Sequence, residues 1–254
     1  IVTNTERLKY RKIRDIRNME KERLNKYLAS CGVCSRRDAD SLIDQGLVTV
    51  NGKPAAIGMR VSAEDSILVR GKSIHGKNDK VVLAYYKPVG VTCTERDRFA
   101  DRKITDMVRF PVRVTYAGRL DKDSEGLILL TNDGELINAM MKGSAGHEKE
   151  YIVKLNKEIT EDFIQKMGEG VWLPELKIKT RPCKAEQIGK FTFRIILTQG
   201  VNRQIRRMSK ALGYEVKELK RIRVVNIELA KLKKGEYRQI LGAELQALYD
   251  VVYQ

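Results

Sequence analysis

The densest group of chemically capable side chains is Gly118-Arg119-Leu120-Asp121-Lys122-Asp123-Ser124-Glu125-Gly126, which runs straight into the apolar Leu127-Ile128-Leu129-Leu130 and on to Thr131-Asn132-Asp133-Gly134. A glycine-started loop crowded with charge and anchored to a buried strand holds its carboxylates in place. Asp121 follows apolar Leu120 and is flanked by Arg119 and Lys122. A cationic setting lowers a carboxylate's pKa and keeps it ionised, as a nucleophile or base requires. The same arrangement also fits a structural Asp–Arg pair on a loop, and the residues alone leave both open.

Two other groups invite chemistry. Arg36 and Arg37 follow Ser35 on the first turn of an expected helix, where cations oppose the helix macrodipole. That placement makes sense against a phosphate chain lying beside exposed amides, with Lys26 and Lys53 extending the face; the alternative is a solvated polar face. Cys31 and Cys34 form a C-x-x-C, but there is no second pair, and the only histidines are His75 and His147. With apolar Leu28 and Val33 beside them, buried helix-end thiols outweigh a redox or zinc site. No metal is expected. His147, a lone histidine before an acidic cluster, is expected at the surface or as a cap rather than as a general base.

The elements that position these residues follow from periodicity. A charged N-terminal extension (1–21) precedes a small unit (22–73). In it Arg23 to Gly32 is helical, Ser35 and Asp38 form a capping box for a helix through Ala39, Leu42 and Ile43 to Gly46, Val48–Val50 is a strand, Asn51-Gly52 signals a hairpin, and Ser66–Arg70 is another strand. A polar linker (74–79) leads to a larger unit (80–254). Its β-rich runs are Val81–Tyr86, Leu127–Thr131, Tyr151–Leu155 and Phe191–Leu197, and Val216–Leu229 also favours strands. Helices are expected at Leu136–Met141, capped by Asn132 or Asp133, at Thr160–Met167, and at Asn202–Leu212 with Ile205, Met208 and Leu212 as its buried stripe. Strand runs broken by scattered helices, without βαβ alternation, predict an α+β fold with a mostly antiparallel sheet.

Composition bounds the class. The 254 residues are 42% hydrophobic, enough for a core, and 32% charged, with no apolar run of spanning length. Lys and Arg number 49 against 33 Asp and Glu, a net +16 that points to a polyanion, either nucleic acid or an anionic membrane surface. Four cysteines are too few for a disulfide scaffold, and the polar N-terminus has no secretory pattern, so the expected compartment is the cytoplasm.

Resemblances sharpen this. Arg23-Leu-Asn-Lys-Tyr-Leu-Ala-Ser-Cys-Gly-Val-Cys-Ser-Arg-Arg, followed by Ala39, Ile43, Gly46, Val48 and Val50-Asn51-Gly52-Lys53, resembles the S-four RNA-binding module, which implies binding of structured RNA by shape and backbone. The Asp121 loop resembles the G-R-L-D signature of pseudouridine synthases, and its continuation into Leu-Ile-Leu-Leu-Thr-Asn-Asp-Gly resembles the RsuA, RluB, RluE and RluF branch, closest to the RluF and RluB type. Lys87-Pro88-Val89-Gly90, His147-Glu148-Lys149-Glu150-Tyr151 and Gly200-Val201-Asn202-Arg203-Gln204-Ile205-Arg206-Arg207-Met208 are similar to three further motifs of that family, in order and spacing. The resemblance implies that Asp121 is the essential aspartate, that Tyr151 stacks on a flipped uracil and helps remove the C5 proton, and that Arg206 pairs with Asp121. It also implies that no cofactor is needed. Arg203 and Arg207 then contact phosphate or form a solvated helix face, and Arg119 and Lys87 are further RNA contacts. Two departures bear on substrate choice. Tyr116-Ala117 stand where many relatives carry a proline and a branched residue, and the chain stops at Gln254 without the long basic tail of some relatives.

The expected function is isomerisation of a uridine in large-subunit (23S) ribosomal RNA by a monomer, with transfer RNA or 16S RNA as other substrates. A non-catalytic ribosome-assembly factor is the alternative from another class. A basic peripheral membrane protein lacks its amphipathic anchor, so no membrane partner is expected.

Overall fold

The structure, a computed structural model, describes residues 21–74, 76–94, 101–142 and 146–254. The expected N-terminal extension lies outside the described residues but for Lys21, as does His75 of the linker. Internal contacts divide the chain into two compact units between Asp79 and Lys80.

In the smaller unit β1 (Glu22–Arg23) leads into α1 (Leu24–Ser30), which buries Leu24, Tyr27 and Leu28. Helix α2 (Arg36–Asp44) starts at the expected cap: Ser35 Oγ accepts from the Asp38 amide at 3.2 Å and donates to Asp38 Oδ2 at 2.6 Å. Strands β2 (Val48–Val50), β3 (Lys53–Pro54), β5 (Ile67–Val69) and β6 (Lys72–Ser73) form a sheet in the order β3-β2-β5-β6, while β4 (Arg60–Val61) pairs with β1. Asn51 and Gly52 both take positive φ, 51° and 77°, as a type I′ hairpin turn requires. Cys31 and Cys34 are free thiols packed against this unit's core, and burial pushes the Cys31 thiol up.

The larger unit follows the order β7 (Val82–Lys87), α3 (Ile104–Met107), β8 (Thr115–Ala117), β9 (Glu125–Thr131), α4 (Gly134–Met141), β10 (Lys149–Leu155) and α5 (Glu161–Glu169). A short hairpin of β11 (Trp172–Leu173) and β12 (Ile178–Lys179) comes next, then β13 (Lys184–Gly189), β14 (Thr192–Leu197), α6 (Gln204–Ala211), β15 (Val216–Val224), β16 (Ile227–Glu228), β17 (Tyr237–Gln239) and α7 (Gly242–Val252). Among the described residues nine strands make one sheet in the order β13-β14-β10-β15-β9-β7-β17, with β16 beside β15 and β8 beside β9. Every pairing in it is antiparallel except β9 with β15, where Gly126 stands opposite Arg221. This is the expected α+β architecture.

The central strands are covered on both sides, which is why they read as unbroken apolar runs. Val82, Ala84, Leu127 and Leu129 face one core with α4 and α7, whereas Leu83, Tyr85, Ile128 and Leu130 face another that also holds Leu120. A third core lies where α5 and α6 cover the β10–β14 half, with Phe163 and Phe193 edge to face at 5.3 Å. Helix α4 is capped by Asp133, whose Oδ1 accepts from the Glu135 and Leu136 amides, and α5 by Thr160. Strands β8, β11, β12, β13 and β17 and helices α3 and α7 of this unit are additional to the elements expected from sequence.

Candidate active site

The Asp121 loop enters the middle of the sheet at the start of β9 and is held at many of its backbone carbonyls as well as by the Asp123 carboxylate. Gly118 turns the chain at φ 86°, and Leu120, the next residue but one, is buried. The Ser124 amide closes a tight turn on the Asp121 carbonyl at 3.1 Å. Its remaining carbonyls are taken up one by one. The Gly90 amide reaches Lys122 O at 2.8 Å and Arg206 Nη2 reaches Asp123 O at 2.8 Å. Lys87 Nζ reaches Ser124 O at 2.7 Å, and Arg221 Nε reaches Leu127 O at 2.6 Å. Arg221 Nη1 also approaches Arg119 O, at 3.4 Å. A loop so tethered presents Asp121 in one position, which is what pre-organised catalysis needs.

Asp121 is itself partly exposed, and Arg203 Nη1 lies 3.6 Å from its Oδ2. The same guanidinium binds Asp123 in two-pronged fashion, at 3.1 and 2.8 Å. Arg203 is the N-cap of α6 with left-handed φ 51° and ψ 35°, a conformation that costs a non-glycine residue about 1–3 kcal/mol and persists only when its surroundings impose it. Around it, buried Gln204 accepts from the Val201 amide at 3.2 Å through Oε1, and Arg203 itself is clamped on Asp123. Ile205 and Met208 fix the helix on the core, with half-buried Leu212 packed alongside.

The pairing expected for Arg206 is therefore corrected. Its Nε lies 3.3 Å from Asp123 Oδ2, an ion-pair distance without hydrogen-bond alignment, and its Nη atoms hold Val216 O, Asp123 O and Ser124 Oγ. The left-handed cap swings Arg203 onto Asp121, while Arg206, one turn further on, braces the loop from behind. Burial pushes the Asp123 carboxyl up, but the Arg203 hydrogen bonds and the Arg206 charge outweigh it and hold Asp123 below the usual carboxylate range.

Lys87 is corrected too. It is 0% exposed, its ammonium donating to Pro88 O and Ser124 O, so it supports the loop and touches no solvent-side substrate. Burial pulls its pKa down to about 8 against the upward pull of Cys93, Asp121 and Asp123. Arg207, expected on phosphate, donates to Glu175 Oε1 at 2.6 Å and to Asn202. The Arg119 side chain is exposed.

Tyr151 lies on β10 opposite Arg221 of β15 and Ile195 of β14, and packs against both the core under α6 and the core that holds Leu120. A bulge in the β10–β15 pairing between Glu150 and Tyr151 sends Arg221 to the tyrosine's side while Arg223 stays with Glu150 at 2.8 Å. Lys149, two residues before Tyr151 and thus on its face of the strand, donates to His147 O at 3.1 Å. Burial pulls Lys149 to about 8, and the Arg221 charge adds to the effect. His147, expected at the surface or as a cap, is instead buried, two residues before β10, which lies inside the sheet between β14 and β15.

In the smaller unit Arg36, Arg37 and Lys53 are exposed, the first two on the opening turn of α2, and Lys26 pairs with Glu22 at 3.7 Å. Sequence reasoning missed Arg221, Lys149 and Gln204. Arg221 binds carbonyls 94 and 102 residues away, and no local pattern announces that.

Comparison with known proteins identifies the family. A family model described as RNA pseudouridylate synthase matches residues 81–211, and one for the S4 domain matches residues 22–67. The chain is 47% identical over 232 residues to the dual-specificity RNA pseudouridine synthase RluF of Salmonella typhi, covering 91% of this chain and 79% of that protein. It is 38% identical over 235 residues to the ribosomal large subunit pseudouridine synthase B of Bacillus subtilis, covering 89% and 95%. A crystal structure of a pseudouridylate synthase superposes with TM-score 0.66 at 29% identity, covering 89% of this chain and 99% of that one. The tethered loop, the two matching domains and these relatives place the chain in the RNA pseudouridine synthase family.

Proposed function

We propose that the chain converts a uridine of large-subunit ribosomal RNA into pseudouridine, with Asp121 as the catalytic carboxylate and no cofactor. The observation that carries this reading is the position of Asp121, fixed by a backbone whose carbonyls are held at six points between Arg119 and Leu127 and facing the Arg203 guanidinium at 3.6 Å. The target uridine must leave its stack to expose C1′ and C5 together, at a cost of a few kcal/mol. Asp121 then attacks C1′ and displaces N1, or removes the C2′ proton so that the C1′–N1 bond breaks by elimination. The freed uracil turns, and C5 bonds to C1′ as the Asp121–C1′ bond breaks or as the C2′ proton is returned. The C5 proton departs and N1 gains one, so the net change is an isomerisation. Tyr151 stacks on the flipped base and helps take the C5 proton. Arg203 aims Asp121, and Arg206 positions the loop beneath it.

The smaller unit, with Arg36, Arg37, Lys26 and Lys53, grips the RNA backbone, and Arg119 contacts it beside the site. The protein acts as a monomer in the cytoplasm. The Bacillus subtilis relative's name supports the large-subunit substrate, and the dual specificity named for the Salmonella typhi relative favours a second RNA class, with transfer RNA the first to test.

The test is tritium release from RNA labelled at uridine C5, run on large-subunit, small-subunit and transfer RNA with wild type and Asp121→Asn. Release from large-subunit RNA by wild type alone, with the variant still binding RNA, is the expected result. Equal release by both proteins refutes Asp121. Release from another RNA class only moves the substrate assignment, and no release with binding intact favours a ribosome-assembly role.

A further inference from the structure

The β11–β12 hairpin carries side chains that the reaction leaves unused. Trp172 is the chain's single tryptophan and is 55% exposed, while Leu173 beside it is buried in the core. Strand alternation thus turns the indole outward. Its cross-strand partner is Lys179, which shares its face, and Lys177 occupies the hairpin turn at left-handed φ 53°. Both lysines are exposed, and neither makes an ion pair among the described residues. The Lys210 charge also reaches Glu175 in the turn.

The hairpin is fastened to the active site. Glu175 accepts from Arg207 Nη1 at 2.6 Å, and Arg207 also holds the Asn202 carbonyl at 3.0 Å. Arg207 stands one helical turn, roughly 6 Å of rise, beyond Arg203, the residue facing Asp121. An outward indole ringed by unpaired lysines suits a partner that offers flat apolar faces and negative charge together, and single-stranded nucleic acid does so.

We propose that Trp172 is a stacking platform for an unpaired base of the RNA substrate near the target uridine, with Lys177 and Lys179 on the flanking phosphates. The proposal rests on the reading of the chain as an enzyme acting on RNA and adds a contact that helps set which RNA is taken. Base–aromatic stacking is worth about 1–3 kcal/mol per base, so Trp172→Ala should raise KM and the Kd for RNA roughly 5- to 150-fold. The value of kcat at saturation should change little, because Trp172 does not touch Asp121.

Having one tryptophan makes the test direct, since all indole emission of the full chain reports on this position. An RNA fragment that the wild type isomerises should quench that emission with saturation at one equivalent. Trp172→Ala should lose affinity while keeping its far-UV circular dichroism and thermal midpoint, and Trp172→Phe should recover most of it. Unchanged Kd and KM in Trp172→Ala overturn the proposal, as does emission that RNA leaves unaltered. An indole quenched by another protein and not by RNA overturns it as well. If the wild type isomerises no RNA, the functional reading fails first; if it does and the substitution is silent, only this proposal fails.

Discussion

Replacing Gly126 by alanine should damage the site more than any other single methyl group added to the loop. Gly126 stands opposite Arg221 in the one parallel pairing of the sheet, at φ 113°. A Cβ there would lie 2.2 Å from the Arg221 carbonyl oxygen and 2.6 Å from its amide nitrogen, whereas real Cβ contacts essentially never fall below 3.0 Å. Both opposing atoms are backbone, so a strand must move by most of an ångström. The left-handed φ adds about 1–3 kcal/mol for a residue with a side chain, and the forced displacement about 1–3 kcal/mol more. The smaller conformational freedom of alanine in the unfolded chain returns about 0.4–1 kcal/mol. The net loss is then about 1–5.6 kcal/mol and centred near 3, read by urea unfolding of wild type and variant. Displacement also pulls Arg221 from Leu127 O and Arg119 O, so tritium release under conditions where the variant stays folded should fall by about 100-fold. Gly134→Ala is the control: it opens α4 with nothing within 4 Å of an added Cβ, and should be neutral or slightly stabilising. A Gly126→Ala protein within 1 kcal/mol of wild type and within threefold of its activity would refute the argument from close approach.

Further expectations follow from the cations around the loop. Arg203→Gln should lower kcat by roughly 10- to 100-fold with KM within threefold, because it removes the guanidinium that lies 3.6 Å from Asp121; an unchanged kcat with raised KM would return Arg203 to a phosphate contact. Lys87 has a folded pKa of about 8, below its ordinary 10.5, so its charge costs the folded state fully below pH 8. Between pH 8 and 10.5 the unfolded chain holds a proton that the folded one has released, and this part of the stability rises with pH. From pH 7 to 9.5 wild type should gain about 2 kcal/mol relative to Lys87→Met by denaturant unfolding, and a pH-independent difference would show that the buried ammonium keeps its proton.

Local elements were legible because their causes are local. The Ser35–Asp38 box, the Asn51-Gly52 turn and the stripe of Ile205 and Met208 each lie within a few residues, and each folds as its chemistry dictates. Helix α7 had its signal in the spacing of Leu245, Leu248 and Val252, but no side-chain cap marks its start. Strand β13 is an exposed polar edge without apolar alternation. At the site, the Asp121 loop is contiguous and therefore stood out. The division of labour between Arg203 and Arg206 did not, because it depends on one left-handed residue, Arg203 itself. Nor did the burial of Lys87, because an ammonium at a strand end can turn to solvent or to a carbonyl, and only the position of Ser124 decides which.

The single parallel pairing also sets a timetable for the newborn chain. Arg221 must arrive before Leu127 and Arg119 find their donor, and Arg206 before Asp123 does. A ribosome adding about 5–20 residues per second needs roughly 5–20 s to make the 94 residues that separate Leu127 from Arg221. Through that interval β7 and β9 can pair as an antiparallel couple with their apolar faces uncovered, while the loop above them has its Lys87 and Gly90 braces but not those from Arg206 and Arg221. Activity therefore begins late in synthesis, only after β15 slides in beside β9, and the slow step of folding should be this long-range closure.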